Sequence, residues 1–239
     1  MSERVLPEHH HDHRDVTGGW LRPAVFGVMD GLVSNTALIA GVAGGGAPPR
    51  TVALAGLAGL VAGAVSMAAG EYNSVRVQND LYERELEMER IELHRNPEQE
   101  TVELAELYES RGVQSDAAQE LAEVIMSNPE VALQTHAREE LGFDPSSLAS
   151  PQGAALASIG AFALGAFFPL APWFVGSGAA ATGATLALAV LAALVVGLAI
   201  GRFTERSPLR AMLRQLLFTL VPAAITYAIG SLVGISPVS

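Results

Sequence analysis

Asp30 sits about ten residues into an apolar stretch that reads Gly27-Val28-Met29-Asp30-Gly31-Leu32-Val33-Ser34-Asn35. A carboxylate at membrane depth costs several kcal/mol unless a cation, a proton or a partner compensates it. An ion or proton pathway is the first reading. The plainer one is an interfacial Asp that bonds Ser34 or Asn35. Met67 and Glu71 lie one helical turn apart on a second apolar stretch, so they share a face. A thioether beside a carboxylate suits a borderline ion such as Fe(II) better than Mg(II) or Ca(II). Met67 alone would be ordinary packing; Asp30 and Glu71 give it interest. The sequence thus offers an unpaired carboxylate in each of two adjacent apolar stretches.

A second set of oxygen donors follows. Glu85, Glu89 and Glu92 are spaced i, i+4, i+7 and line one helix face. Glu103 and Glu106 are spaced i, i+3, with Glu100 extending their stripe, and His136 and Glu140 are spaced i, i+4. Carboxylates at such spacings on facing helices build metal sites in bundles. Oxygen with one imidazole suits Fe(II), Mn(II), Co(II) or Zn(II). Taken helix by helix, the same residues read as solvated faces with Arg84, Arg90 and Arg95 as partners. The cluster from His9 to His13 is either a metal-capturing tail or a plain solvated one.

These residues need elements to hold them. The chain has 239 residues, of which 50% are hydrophobic and 16% charged. Five segments are long enough to cross a bilayer, which takes about 20 apolar residues as helix. They run roughly over 20–42, 51–72, 152–170, 179–200 and 209–233. The second meets no proline between Tyr72 and Pro97, so one helix carries on from apolar to acidic sequence. From Thr51 to Arg95 it would be roughly 65 Å long, about twice the hydrocarbon thickness. Asn96-Pro97 ends it. Further helices are expected from Pro97 to Ser110, from an N-cap at Ser115 to Ser127, and from an Asn128-Pro129 cap to Gly142. Gly27 and Gly31 on the first span, and Gly56, Gly59, Gly63, Ala64 and Ser66 on the second, allow helices to approach closely.

The fold class is an all-α membrane protein of five spans. A helical acidic insert separates spans two and three, and the second span continues into it. The organisation is a polar tail with the histidines (1–19), spans one and two (20–74), the insert (75–150) and spans three to five (151–239). From Arg76 to Asp144 there are 18 acidic residues against 6 Arg, so the net charge of −11 resides in the insert. That sign argues against a nucleic-acid partner. All 14 basic residues are Arg, and there is no Cys to form a disulfide or thiolate site. Arg4, Arg14 and Arg22 flank the first span, and Arg202, Arg206, Arg210 and Arg214 lie between the last two. The positive-inside rule puts the N-terminus and the insert in the cytoplasm and the C-terminus outside. No secretory signal is apparent. No nucleophile elbow, phosphate loop or zinc-protease motif occurs, which argues against an enzyme.

Two runs carry a resemblance. Leu21-Arg22-Pro23-Ala24-Val25-Phe26-Gly27-Val28-Met29-Asp30-Gly31-Leu32-Val33-Ser34 and Gly59-Leu60-Val61-Ala62-Gly63-Ala64-Val65-Ser66-Met67-Ala68-Ala69-Gly70-Glu71-Tyr72 resemble the first two span signatures of the vacuolar iron transporter family. Glu103-Leu104-Ala105-Glu106-Leu107-Tyr108 and Glu139-Glu140-Leu141-Gly142-Phe143 resemble the ends of its metal-binding insert. The resemblance implies a homodimer of five-span subunits, embedded in lipid, that exports Fe(II) and also Mn(II) from the cytoplasm in exchange for protons. It implies translocation roles for Asp30 and Met67, with Glu71 on the same path. Glu103, Glu106 and Glu140 fall on its insert carboxylates, and Glu89 and Glu92 are the candidates for two earlier ones. Where plant-type members have paired Met, this chain has His136-Ala137, which makes the site harder and more pH-sensitive. The metal is substrate, no prosthetic group is expected, and Zn(II) or Co(II) are further ions the insert could hold. A bacterial inner-membrane location is expected. The alternatives are a membrane-anchored iron store or sensor, and a ferroxidase. The insert lacks the two Glu-x-x-His pairs a ferroxidase would use.

Overall fold

The computed structural model describes residues 19–234, and among them every regular element is helical. The His9–His13 cluster lies outside the described residues. Helix α1 spans Leu21–Gly44 and α2 spans Pro49–Arg95. The helices α3 (Pro97–Ser110), α4 (Ser115–Met126) and α5 (Pro129–Glu139) follow. After a short 3-10 turn come α6 (Pro151–Leu170), the single turn α7 (Pro172–Val175), α8 (Gly178–Phe203) and α9 (Pro208–Val233). Five of these, α1, α2, α6, α8 and α9, have the length and hydropathy to cross a membrane.

Helix α2 is one unbroken element of 47 residues, about 70 Å long. It has no internal proline, and its composition changes from Ala, Gly and Leu to Glu and Arg without a change of backbone. Pro48 and Pro49 start it, and Asn96 before Pro97 stops it, since the residue preceding a proline avoids the helical region.

Small residues set the packing of the apolar helices. A Cβ on Gly31 would stand 2.2 Å from the Phe162 carbonyl oxygen, so α1 and α6 touch backbone to backbone there. A Cβ on Gly230 would stand 2.0 Å from the Gly41 carbonyl oxygen, which gives the same contact between α1 and α9. Without a hydrophobic force between helices in lipid, such close approach is the main source of packing energy. The α6–α8 corner is closed by polar groups. Trp173 Nε1 donates to the Thr185 hydroxyl (3.0 Å), which donates to the Pro169 carbonyl (2.8 Å).

Helices α3 and α5 fold against the acidic half of α2, and α4 packs on α3 and α5. Their small core is Leu104, Ala105, Ala118 and Ala122, with Tyr108, Val113 and Ile125 around it. Tyr82 of α2 stacks on Phe143, with ring centroids 4.2 Å apart. Asn79 Nδ2 donates to the Ala149 carbonyl at 3.0 Å. The Asn128 side chain caps α5 by accepting from the backbone N–H of Glu130 and Val131. The expected cap at Ser115 is not formed. Gln114 occupies that position without a side-chain cap, and the Ser115 hydroxyl instead donates to Glu109 Oε1 at 2.6 Å.

Candidate metal centre and membrane cavity

The bend at Asn96-Pro97 folds α3 back on α2, so residues 11 apart in sequence, Glu89 and Glu100, come together. Helix α5 brings His136 against them. All three residues are buried, and one ligand atom from each lies within 4.8 Å of the others. His136 Nδ1 is 3.0 Å from Glu89 Oε1, 3.8 Å from Glu100 Oε2 and 3.5 Å from Glu140 Oε2. A first-row ion binds such ligands at ~2.0–2.2 Å, so two ligand atoms on one ion lie roughly 3–4.4 Å apart. The three distances from His136 Nδ1 fall in that range.

Its polar groups are only partly satisfied. His136 Nδ1 faces Glu89 Oε1 at 3.0 Å, while His136 Nε2 is buried with no hydrogen-bond partner among the described residues. Unpaired buried polar groups are rare and costly, and a bound ion is a standard reason for them. Burial, then the Glu103 and Glu89 charges, push the Glu100 carboxyl up to about 7. Burial, then Glu89, also raises Glu140. At His136 burial opposes the charged ring, but Glu89 and Glu140 outweigh it and raise its pKa. Protons and metal would therefore compete for the same atoms.

Of the insert residues expected to bind metal, the structure gathers Glu89, His136 and Glu140. It adds Glu100, which the sequence offered only as the extension of a stripe. Glu103 is exposed and accepts from Gln99 Nε2 at 3.1 Å, yet lies near enough to act on Glu100 and Glu140. Glu92 and Glu106 are exposed and stand outside the cluster. On α3 the carboxylate buried in the cluster is thus Glu100, one turn before Glu103.

The second site lies among the apolar helices. A cavity of roughly 320 Å³ is lined by Asp30, Ser34 and Asn35 of α1, Met67 and Ser66 of α2, and Phe162 of α6, among others. The Ser34 hydroxyl donates to the Asp30 backbone carbonyl at 2.6 Å, not to its carboxylate. Among the described residues no side chain pairs with that carboxylate. Asn35 Nδ2 donates to the Ala166 carbonyl at 2.7 Å, while its Oδ1 is buried with no partner among the described residues. A larger cleft between α1, α8 and α9 is almost wholly apolar and holds no carboxylate.

Glu71 departs from expectation. It is not unpaired: Arg22 Nη2 lies 3.2 Å from its Oε2. It also does not line the cavity that holds Asp30 and Met67. The pairing neutralises a carboxylate that is itself only 11% exposed, which is how a charge is kept near apolar surroundings.

Fold and site together define a polytopic helical membrane protein with one carboxylate–thioether cavity among its apolar helices and one carboxylate–imidazole cluster on the extension of α2. Residues 21–231 match the VIT family, and the chain belongs to it. It is 31% identical over 233 residues to vacuolar iron transporter 1 of Arabidopsis thaliana, covering 97% of this chain and 93% of that one. It is 30% identical to vacuolar iron transporter 1 of Tulipa gesneriana, covering 97% and 94%. It is 44% identical over 161 residues to the vacuolar iron transporter of Acanthamoeba castellanii, covering 67% of this chain and 57% of that protein.

Proposed function

We propose that this protein exports Fe(II), and also Mn(II), from the cytoplasm in exchange for protons. The reading is carried by one observation. A carboxylate with no side-chain partner among the described residues and a thioether share a cavity among the apolar helices of a chain whose relatives are named iron transporters. The Glu89–Glu100–His136 cluster collects the ion from the cytoplasm, with Glu140 beside it and the wider acidic surface, Glu92, Glu103 and Glu106 included, raising the local cation concentration. Zn(II) or Co(II) fit the same cluster. The ion then moves toward the membrane, passes the Arg22–Glu71 pair, sheds water and meets Asp30 and Met67. Protonation of Asp30 from the far side weakens its hold and releases the ion outward. Arg placement supports a cytoplasmic N-terminus and insert, and in this reading the protein works as a homodimer. A bacterial inner membrane is the proposed location.

The test is flux of Fe(II) and Mn(II) into proteoliposomes under an imposed proton gradient. Wild-type protein is expected to move both ions with the gradient. Asp30→Asn is expected to abolish flux while the purified protein still binds metal at the cluster. Unimpaired flux in Asp30→Asn would sink the role given to that residue. Metal binding without any wild-type flux would favour an iron store or sensor, and oxygen consumption on adding Fe(II) would favour a ferroxidase.

A further inference from the structure

Asn35, whose side-chain oxygen has no hydrogen-bond partner among the described residues, lines the same cavity as Asp30 and Met67. Its amide is not free to turn. Nδ2 donates to the Ala166 carbonyl at 2.7 Å, and only the NH2 end of a carboxamide can donate to a carbonyl. Oδ1 is therefore held in the other direction, in a residue that is 2% exposed. Across from it stands Gly59, where a Cβ would lie 3.0 Å from Oδ1. The glycine keeps a side chain from packing against the oxygen. Phe162, whose ring fills the space beside Gly63, closes the cavity wall. A buried carbonyl-type oxygen that is fixed and unsatisfied costs stability unless a donor or a cation reaches it.

We infer that Asn35 Oδ1 is a cation ligand in this cavity, taking a divalent ion of the Fe(II)/Mn(II) class. The inference rests on the transport reading above. Asn35 lies five residues beyond Asp30 on α1, so it stands roughly 7.5 Å further along the helix axis. A neutral oxygen at that place does chemistry the carboxylate cannot. It replaces a lost water without adding charge, so it helps the ion leave Asp30 without trapping it. It also makes the donor set harder than a carboxylate and a thioether alone, which favours Mn(II) and Fe(II) over softer ions. Charge comes from Asp30, softness from Met67, and a non-titrating oxygen from Asn35.

Two full-length variants separate the oxygen from the hydrogen bond. Asn35→Leu keeps the bulk and removes both Oδ1 and Nδ2. Gly59→Ala leaves the Asn35–Ala166 bond in place and sets a methyl 3.0 Å from Oδ1, which blocks a cation's approach; its other close contact, Leu38 Cδ2 at 2.5 Å, is the end of a flexible side chain. In proteoliposomes both are expected to raise the KM for Mn(II) about tenfold. Both are also expected to make Cd(II) a stronger competitor of Mn(II) flux, because Met67 is left with less hard company. A merely structural Asn35 would not move that Cd(II)/Mn(II) ratio. Wild-type KM and wild-type Cd(II) competition in Gly59→Ala, or in whichever variant folds, would overturn the inference while leaving the transport reading intact. Absence of Mn(II) flux through the wild type would overturn both.

Discussion

Glu100 is held in a state that suits a metal better than it suits the metal-free protein. Burial and the neighbouring Glu103 and Glu89 carboxylates push its carboxyl up to about 7 from an ordinary 4.5. A raised folded pKa gives stability that is fully present below the unfolded value and lost as pH rises through the folded one. Metal-free protein should therefore lose stability between about pH 4.5 and 7 through this group. Glu100→Gln removes the charge. In chelator near pH 8 the variant should unfold later than wild type, by on the order of 1–3 kcal/mol, and the gap should shrink near pH 5. Its metal affinity should fall by about tenfold or more. Thermal unfolding at the two pH values and equilibrium metal binding check this; a variant less stable than wild type near pH 8 would contradict it. Spacing alone could not single out this residue. Glu100, Glu103 and Glu106 repeat every three residues, and periodicity does not say which turn faces α2. The available signal was its place one turn past the Asn96-Pro97 bend, closest to Glu89. The Arg22–Glu71 pair was equally hidden, because it joins residues 49 apart.

The elements were more legible than the contacts. Length, hydropathy and proline placement put each apolar helix within a few residues of where it forms, and the passage of α2 from apolar to acidic sequence followed from the missing proline. Capping chemistry was readable at Asn128-Pro129 and misleading at Ser115, where a hydroxyl found a carboxylate instead of the backbone. Asn128→Ala should cost ~1 kcal/mol by uncapping α5. Because α5 carries His136, metal affinity should weaken with it; unchanged affinity would mean α5 is held by its core alone. Glycine patterns announced close packing but not which glycines touch. Gly31→Ala would force a Cβ to 2.2 Å from the Phe162 carbonyl, whereas a Cβ at Gly183 meets nothing within 4 Å. Thermal scans in detergent should show a clear loss for Gly31→Ala. Gly183→Ala should be neutral or gain up to ~1 kcal/mol, since Ala is the better helix former.

At the scale of the whole molecule, function depends on which side of the membrane the α3–α5 cluster faces. Arg residues crowd the α8–α9 connection and the start of α1, while the segment from Leu170 to Ala179 carries no charge. The proposed orientation, with the cluster toward the cytoplasm, rests on that asymmetry. A reversed protein would present its cation-gathering surface to the product side of an exporter. The chain has no cysteine, so a single introduced thiol reports one position without background. Ser177 in the α7–α8 connection and Ser127 between α4 and α5 are both exposed. In intact cells a membrane-impermeant maleimide should label Ser177→Cys and leave Ser127→Cys unmodified. After permeabilisation both should react. The reverse pattern would place the Glu89–Glu100–His136 cluster outside and turn the proposed exporter into an importer, with the same residues and the opposite direction of flow.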